Sequence, residues 1–114
     1  DKKLVDRLTF LDTESGIRYC AQSEEVYEKV LHSYLDSDKT EEIEQYYQDK
    51  DWKNYQVLVH ALKSKSLSIG AEELAEDARA LEAAAREGRI MEHHEEVMNS
   101  YRNLLNLLRR ELQS

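Results

Sequence analysis

The sequence predicts an all-α fold: an up-and-down antiparallel four-helix bundle with a short N-terminal accessory helix. Three observations carry this. Ala, Glu, Lys, Leu and Arg supply 56 of the 114 residues, the composition of long helices. Pro is absent and Gly occurs only 3 times, so the chain has few places to break. Apolar residues recur at helical spacing through most of the sequence, as on helices with one buried face. A chain of 114 residues and 13.4 kDa has room for one domain of ordinary size, and a 40% hydrophobic fraction can fill its core.

The opening residues Leu4, Val5, Leu8 and Leu11 are spaced for a short helix that ends before Gly16. Ser23 is placed to cap a helix running to about Leu35, with Val26, Tyr27, Val30, Leu31 and Tyr34 on one side. Asp36 to Thr40 is a polar loop, and Thr40 can cap a short helix carrying Ile43, Tyr46 and Tyr47. Asp51 then caps a helix whose stripe is Trp52, Tyr55, Val59, Leu62, Ser66 and Ile69, with Trp52 as a core anchor and Gly70 as the break. The next helix repeats the pattern with Leu74, Ala78, Leu81 and Ala85, and Gly88 fits its C′ position. The last runs from about Ile90 to Leu112 through Val97, Tyr101, Leu104, Leu105 and Leu108. Links of a few residues make four such helices pair antiparallel around one core. Ala75, Ala78, Ala83, Ala84 and Ala85 let one of them approach its neighbours closely. Residues 1–114 form one domain on this reading, with 1–14 as the accessory segment and 15–113 as the bundle and its first turn.

Charge narrows the function. The net charge of −8 excludes non-specific binding to nucleic acid or to an anionic membrane surface. No apolar run approaches the roughly 20 residues needed to span a bilayer. A single cysteine, Cys20, excludes an internal disulfide framework and fits a reducing cytosol, where it is expected as a small buried hydrophobe. The start at Asp1 without Met reads as a processed chain or a piece of a longer one. Residues 1–51 hold 7 basic and 14 acidic side chains, a net of −7, whereas residues 52–114 hold 9 and 10. Within that second part, Trp52 to Ala71 contains Lys53, Lys63 and Lys65 and no acid. Such a window in an acidic protein suits a surface that meets something negative.

At about 100° per residue, the stripe of the Trp52–Ile69 helix centres opposite Gln56, His60, Lys63, Ser64 and Leu67. His60 is therefore expected in solvent, with a ring nitrogen available as a nucleophile. Lys63, one turn on, is placed to neutralise an anion held on that ring. Val57 and Leu67 are apolar residues on or beside this outer face, which suits docking of a partner.

The segment His60-Ala61-Leu62-Lys63-Ser64-Lys65-Ser66-Leu67-Ser68-Ile69-Gly70-Ala71-Glu72-Glu73-Leu74 resembles the histidine-phosphotransfer (HPt) domains of bacterial two-component phosphorelays. Their motif has the form H-x-L-K-G/S-x-S/A-x-x-x-G-A-x-x-L, followed on the next helix by a Leu-Glu-Ala-Ala-like segment, here Leu81 to Arg86. Gly16 to Cys20 also looks like the family's first turn, so the resemblance covers about residues 15–110. It implies that His60 accepts a phosphoryl group from the aspartyl phosphate of one receiver domain and passes it to another. Lys63 falls on the lysine that helps hold the phosphoryl oxygens. Ser64 stands where many members have Gly, and its small side chain is expected to let the receiver dock, with Lys53, Gln56, Val57 and Leu67 completing the docking face. Lys65 points about 140° away from His60 and is not expected to disturb the site. The resemblance also implies that Mg²⁺ and an acidic cluster belong to the partner response-regulator receiver, with no cofactor on this chain.

There is no Gly-rich phosphate loop, so the expected role is that of a phosphocarrier rather than a kinase or hydrolase. A cytoplasmic monomer is expected, as a module of a larger sensor histidine kinase more than as a free carrier. The rival reading, from another class, is a non-catalytic helical adaptor or dimerisation bundle. A metal site is not expected: Glu92, His93, His94, Glu95 and Glu96 lack the H-E-x-x-H spacing and the paired Glu-x-x-His motifs of di-iron bundles. His94 is expected partly tucked at a bundle seam, and His32 half-exposed at the core edge.

Overall fold

Short polar side chains start several helices, and two glycines stop the pair that matters most. In a computed structural model of the chain, residues 2–89 and 92–113 are described. Among them are seven helices and no strand: α1 (Leu4–Arg7), α2 (Thr13–Tyr19), α3 (Glu24–Asp36), α4 (Thr40–Gln48), α5 (Trp52–Ser68), α6 (Glu72–Arg86) and α7 (His94–Leu112). The all-helical bundle matches the expectation, with α3, α5, α6 and α7 as its long members. Ser23 caps α3 by accepting from the Val26 amide at 3.1 Å, and Asp51 caps α5 by accepting from the Asn54 amide at 3.3 Å.

Gly70 and Gly88 end α5 and α6 with positive φ values of 84° and 68°. After each, the chain folds back in the paired hydrogen-bond pattern of a left-handed helix stop: Ala71 N–H to Ser66 O and Gly70 N–H to Leu67 O, then Arg89 N–H to Ala84 O and Gly88 N–H to Ala85 O. The turn between α5 and α6 is thus only Ile69, Gly70 and Ala71, which forces the two helices side by side and antiparallel. Their contact is the most extensive in the molecule, and Ala75, Ala78, Ala84 and Ala85 are buried along it or beside it.

The end of α5 is braced from the first third of the chain. Asp12 N–H donates to Gly70 O at 2.9 Å, the Tyr27 hydroxyl to Ile69 O at 2.8 Å, and the Cys20 thiol to Ser68 O at 3.8 Å. No side chain fits at Gly70, where a Cβ would lie 2.0 Å from the Asp12 carbonyl oxygen. The buried tyrosines of α3 also fix its direction against α5. Tyr27 meets residue 69, and Tyr34, further along α3, bonds the Ser66 hydroxyl at 3.0 Å, so the two helices run antiparallel. Leu8, Leu31, Ile43, Val59, Ile69, Met98, Leu105 and Leu108 fill the core between these elements.

Several local expectations are corrected. The N-terminal helix does not simply end before Gly16: it divides into α1 and α2, and Gly16 lies inside α2, buried where a Cβ would stand 2.3 Å from the Tyr27 ring. Thr40 is the first residue of α4 rather than its cap, because the Asp38 carboxylate takes the Thr40 amide at 2.8 Å. Val26 is exposed, since α3 buries Tyr27, Leu31, Tyr34 and Leu35 instead, and His32 is fully on the outer face. Trp52 is half-buried, lying edge-on to Tyr47 and Tyr55 at the start of α5. The expected start near Ile90 lies outside the described residues, and α7 is described from His94. Among the described residues, no helix is long and apolar enough to cross a membrane.

Candidate functional site

The sequence of α5 divides its surface. Tyr55, Val59, Leu62 and Ser66 face the core, and the opposite side carries Lys53, His60 and Ser64 in the open. The His60 side chain is 56% exposed. Its Nδ1 is 2.6 Å from Oε2 of Glu82, across on α6. The other oxygen of Glu82 accepts from Lys63 Nζ at 3.0 Å, and the Arg86 guanidinium lies 3.3 Å from Oε2. His60 precedes the Gly70 turn by about as much as Glu82 follows it, so the antiparallel hairpin sets them opposite one another.

Glu82 decides the chemistry of the ring. Burial pushes its carboxyl pKa up, but hydrogen bonds from Lys63 and His60 and their charges outweigh that and hold it below the usual carboxylate range. An ionised carboxylate only accepts hydrogen bonds, so the nitrogen facing it, Nδ1, carries the hydrogen. In its neutral form the ring then has its lone pair on Nε2. Among the described residues Nε2 has no hydrogen-bond partner, and it stands in solvent beside a shallow depression of about 370 Å³ lined by Lys53, Gln56, Val57, His60 and Glu82. The arrangement leaves one ring nitrogen open, with the other held by a carboxylate that Lys63 and Arg86 share.

Lys63 is mostly covered, with its side chain 22% exposed, and its ammonium is brought to the Glu82 carboxylate rather than left free in solvent. Lys53, Val57 and Ser64 are exposed and Gln56 is half-buried, so these four share the outer surface with His60. Val57 is 61% exposed, unusual for an apolar residue on a packed helix. Leu67 is corrected: it is half-buried near the end of α5, where the chain turns toward Ala71, and presents less apolar surface than expected. Lys65 is exposed on the flank of α5, turned away from His60.

Glu82 and Arg86 were not singled out as site residues by the sequence reading. A signal for Glu82 is nonetheless there. On α6 the buried positions Ala75, Ala78, Leu81, Glu82 and Ala85 follow the helical period, and Glu82 is the one charged residue on that stripe.

The other candidates resolve differently. His94 is not partly tucked but 1% exposed. Its Nδ1 meets the Tyr55 hydroxyl at 2.8 Å, its Nε2 meets Glu44, and its ring stacks on Tyr47 at 3.6 Å, so neither nitrogen is free for a ligand. His93 is exposed and pairs with Glu96 at 3.4 Å. Among the described residues no group of three or more His, Cys, Asp or Glu is placed to hold a metal ion. Cys20 is buried, as expected, and burial pushes its thiol pKa up.

A family model described as Hpt domain matches residues 19–113. No curated protein and no solved structure matches the chain.

Proposed function

The chain belongs to the Hpt domain family, a family of histidine phosphotransfer in two-component phosphorelays, and on that premise we propose that it carries phosphoryl groups between receiver domains on Nε2 of His60. The supporting observation is the exposed imidazole whose Nδ1 is pinned to the Glu82 carboxylate at 2.6 Å. In the forward step the Nε2 lone pair attacks phosphorus, and the bond from phosphorus to the aspartyl oxygen of the receiver breaks. That bond's electron pair leaves with the aspartate. Nδ1 keeps its hydrogen throughout, so no proton need move, and Glu82 faces the positive charge that the ring acquires. Transfer to the next receiver reverses these events, and the ring departs as a neutral imidazole.

The roles of the neighbours follow from their placement. Lys63 supplies positive charge to the phosphoryl oxygens, as the resemblance implies. Lys53, Gln56, Val57, Ser64 and Leu67 contribute to the docking face. Hpt domains interact with receivers; here the acid-free stretch from Trp52 to Ala71 complements an acidic receiver surface. Mg²⁺ is proposed to act on the receiver's side, and this chain's task is to present the nitrogen. Hpt domains are phosphocarriers rather than enzymes, and this chain is proposed to act as one; a monomeric, cytoplasmic module with residues 1–114 as one unit completes the proposal.

The test is phosphotransfer from a panel of phosphorylated receiver domains to the parent and to His60→Gln. Acid-labile, base-stable label on the parent alone supports the reading and identifies a partner. Absence of label on the folded parent from every receiver transfers the weight to a binding-only helical adaptor.

A further inference from the structure

One anion at the site serves three positive or titratable groups. Glu82 Oε1 is 3.0 Å from Lys63 Nζ, and Oε2 is 2.6 Å from His60 Nδ1 and 3.3 Å from the Arg86 guanidinium. The Glu82 side chain is 7% exposed and that of Arg86 61%, so a rooted carboxylate holds a guanidinium on a flexible, solvated stem. Among the described residues, neither Lys63 nor Arg86 has another anionic partner. The geometry therefore gathers two cations on the same carboxylate that holds Nδ1 of His60, while Nε2 has no partner among the described residues. A phosphoryl group on Nε2 would bring about two negative charges and three acceptor oxygens to that place. It would compete with Glu82 for the same cations.

We propose that Glu82 is the resting counter-anion that sets how long this domain keeps its phosphoryl group, and that Arg86 joins Lys63 in holding that group. The proposal rests on the phosphocarrier reading above and deepens it. Two effects of the carboxylate act in one direction. It keeps hydrogen on Nδ1, so the P–N bond breaks with a neutral imidazole as leaving group, its electron pair staying on Nε2. Its charge also opposes the phosphoryl group and draws Lys63 and Arg86 away from it. Glu82 is on this account a positioning residue acting through the ring and the cations, and it makes the domain a ready donor.

The test uses phosphoramidate as a small-molecule phosphoryl donor on the full chain, with phosphohistidine followed by ³¹P NMR after the donor is removed. Glu82→Gln retains an oxygen that accepts from Nδ1–H but removes the charge, and its phosphohistidine should last about tenfold longer than the parent's. Arg86→Gln should shorten the lifetime by about threefold, with an unchanged melting temperature because the side chain is exposed. An equal or shorter lifetime in folded Glu82→Gln overturns the counter-anion role, and an unchanged lifetime in Arg86→Gln removes Arg86 from the clamp. Should Glu82→Gln fail to fold, the Arg86→Gln result still decides whether the cations are shared. A parent that accepts phosphoryl from phosphoramidate on His60 but passes it to no receiver defeats the relay reading and leaves this proposal standing. A folded parent that takes none on His60 overturns both.

Discussion

The molecule contains two histidine–glutamate pairs, and they are built in opposite senses. In one, an exposed His60 rests on a buried Glu82. In the other, a buried His94 rests on the half-buried Glu44, which also binds Arg102 at 2.5 Å. Both carboxyls are pushed up by burial and brought below their usual pKa by the groups that hydrogen-bond to them. The difference lies in the second ring nitrogen. His94 spends both nitrogens inside the fold, on Glu44 and on the Tyr55 hydroxyl, and its face on Tyr47. His60 spends one. The same pair of residue types thus gives a rivet that ties α4 to α5 and α7 in one place, and a presented nucleophile in the other. Which partner is buried decides which role results.

Breaking each pair should separate the two roles. The largest expected effect is His60→Gln, which should reduce phosphotransfer to background while costing no more than about 1 kcal/mol of stability, since Lys63 still pairs Glu82. Far-UV circular dichroism and a denaturant titration check the second half, and a large loss of stability would place His60 among structural residues. The converse substitution, His94→Leu, strands the Tyr55 hydroxyl and the Glu44 carboxylate. It should cost about 2–4 kcal/mol in the same titration and leave the transfer rate per folded molecule unchanged.

Lys63→Ala should slow transfer by about tenfold without abolishing it, since one of several charges near the phosphoryl group is removed. Rapid-quench kinetics would show it, and equal rates in variant and parent would remove Lys63 from the site.

The pH dependence sharpens the comparison. A carboxyl with a depressed folded pKa adds stability that is fully present above its unfolded value and is lost as pH falls through the folded one. Glu82 and Glu44 are both of this kind. Stability should therefore decline from the ordinary carboxylate range downward. Glu82→Gln should flatten part of that decline, which acid titrations of parent and variant would reveal. The smallest effect is expected from Val57→Ser. Its side chain is 61% exposed, so stability should stay within about 0.5 kcal/mol while receiver binding weakens a few-fold by calorimetry.

Much of the fold was legible because helices announce themselves locally. The stripe Tyr55, Val59, Leu62, Ser66 and Ile69 is buried as its spacing implies, and the stops at Gly70 and Gly88 fall where glycine is needed for a positive φ. His60 and Lys63 were legible for the same reason, as residues placed on a helix relative to its own stripe. Glu82 was harder, since its partner is reached through a turn and a neighbouring helix, and residue spacing along one helix contains no such distance. His94 carries a similar signal: with Val97, Met98, Tyr101, Leu105 and Leu108 it follows the buried stripe of α7. In both pairs the informative mark is a polar residue standing on an apolar stripe. The division of the N-terminal segment escaped because Gly16 reads as a breaker, whereas here its missing side chain makes room for the Tyr27 ring and the end of α5.

The most direct test of the account is which ring nitrogen takes the phosphoryl group. With ¹⁵N-labelled histidine in the phosphorylated chain, the phosphorus–nitrogen coupling of His60 identifies the atom. The account predicts phosphorus on Nε2, with Nδ1 still carrying its hydrogen toward Glu82. Phosphorus on Nδ1 would contradict it, because that nitrogen is the one the fold has already committed.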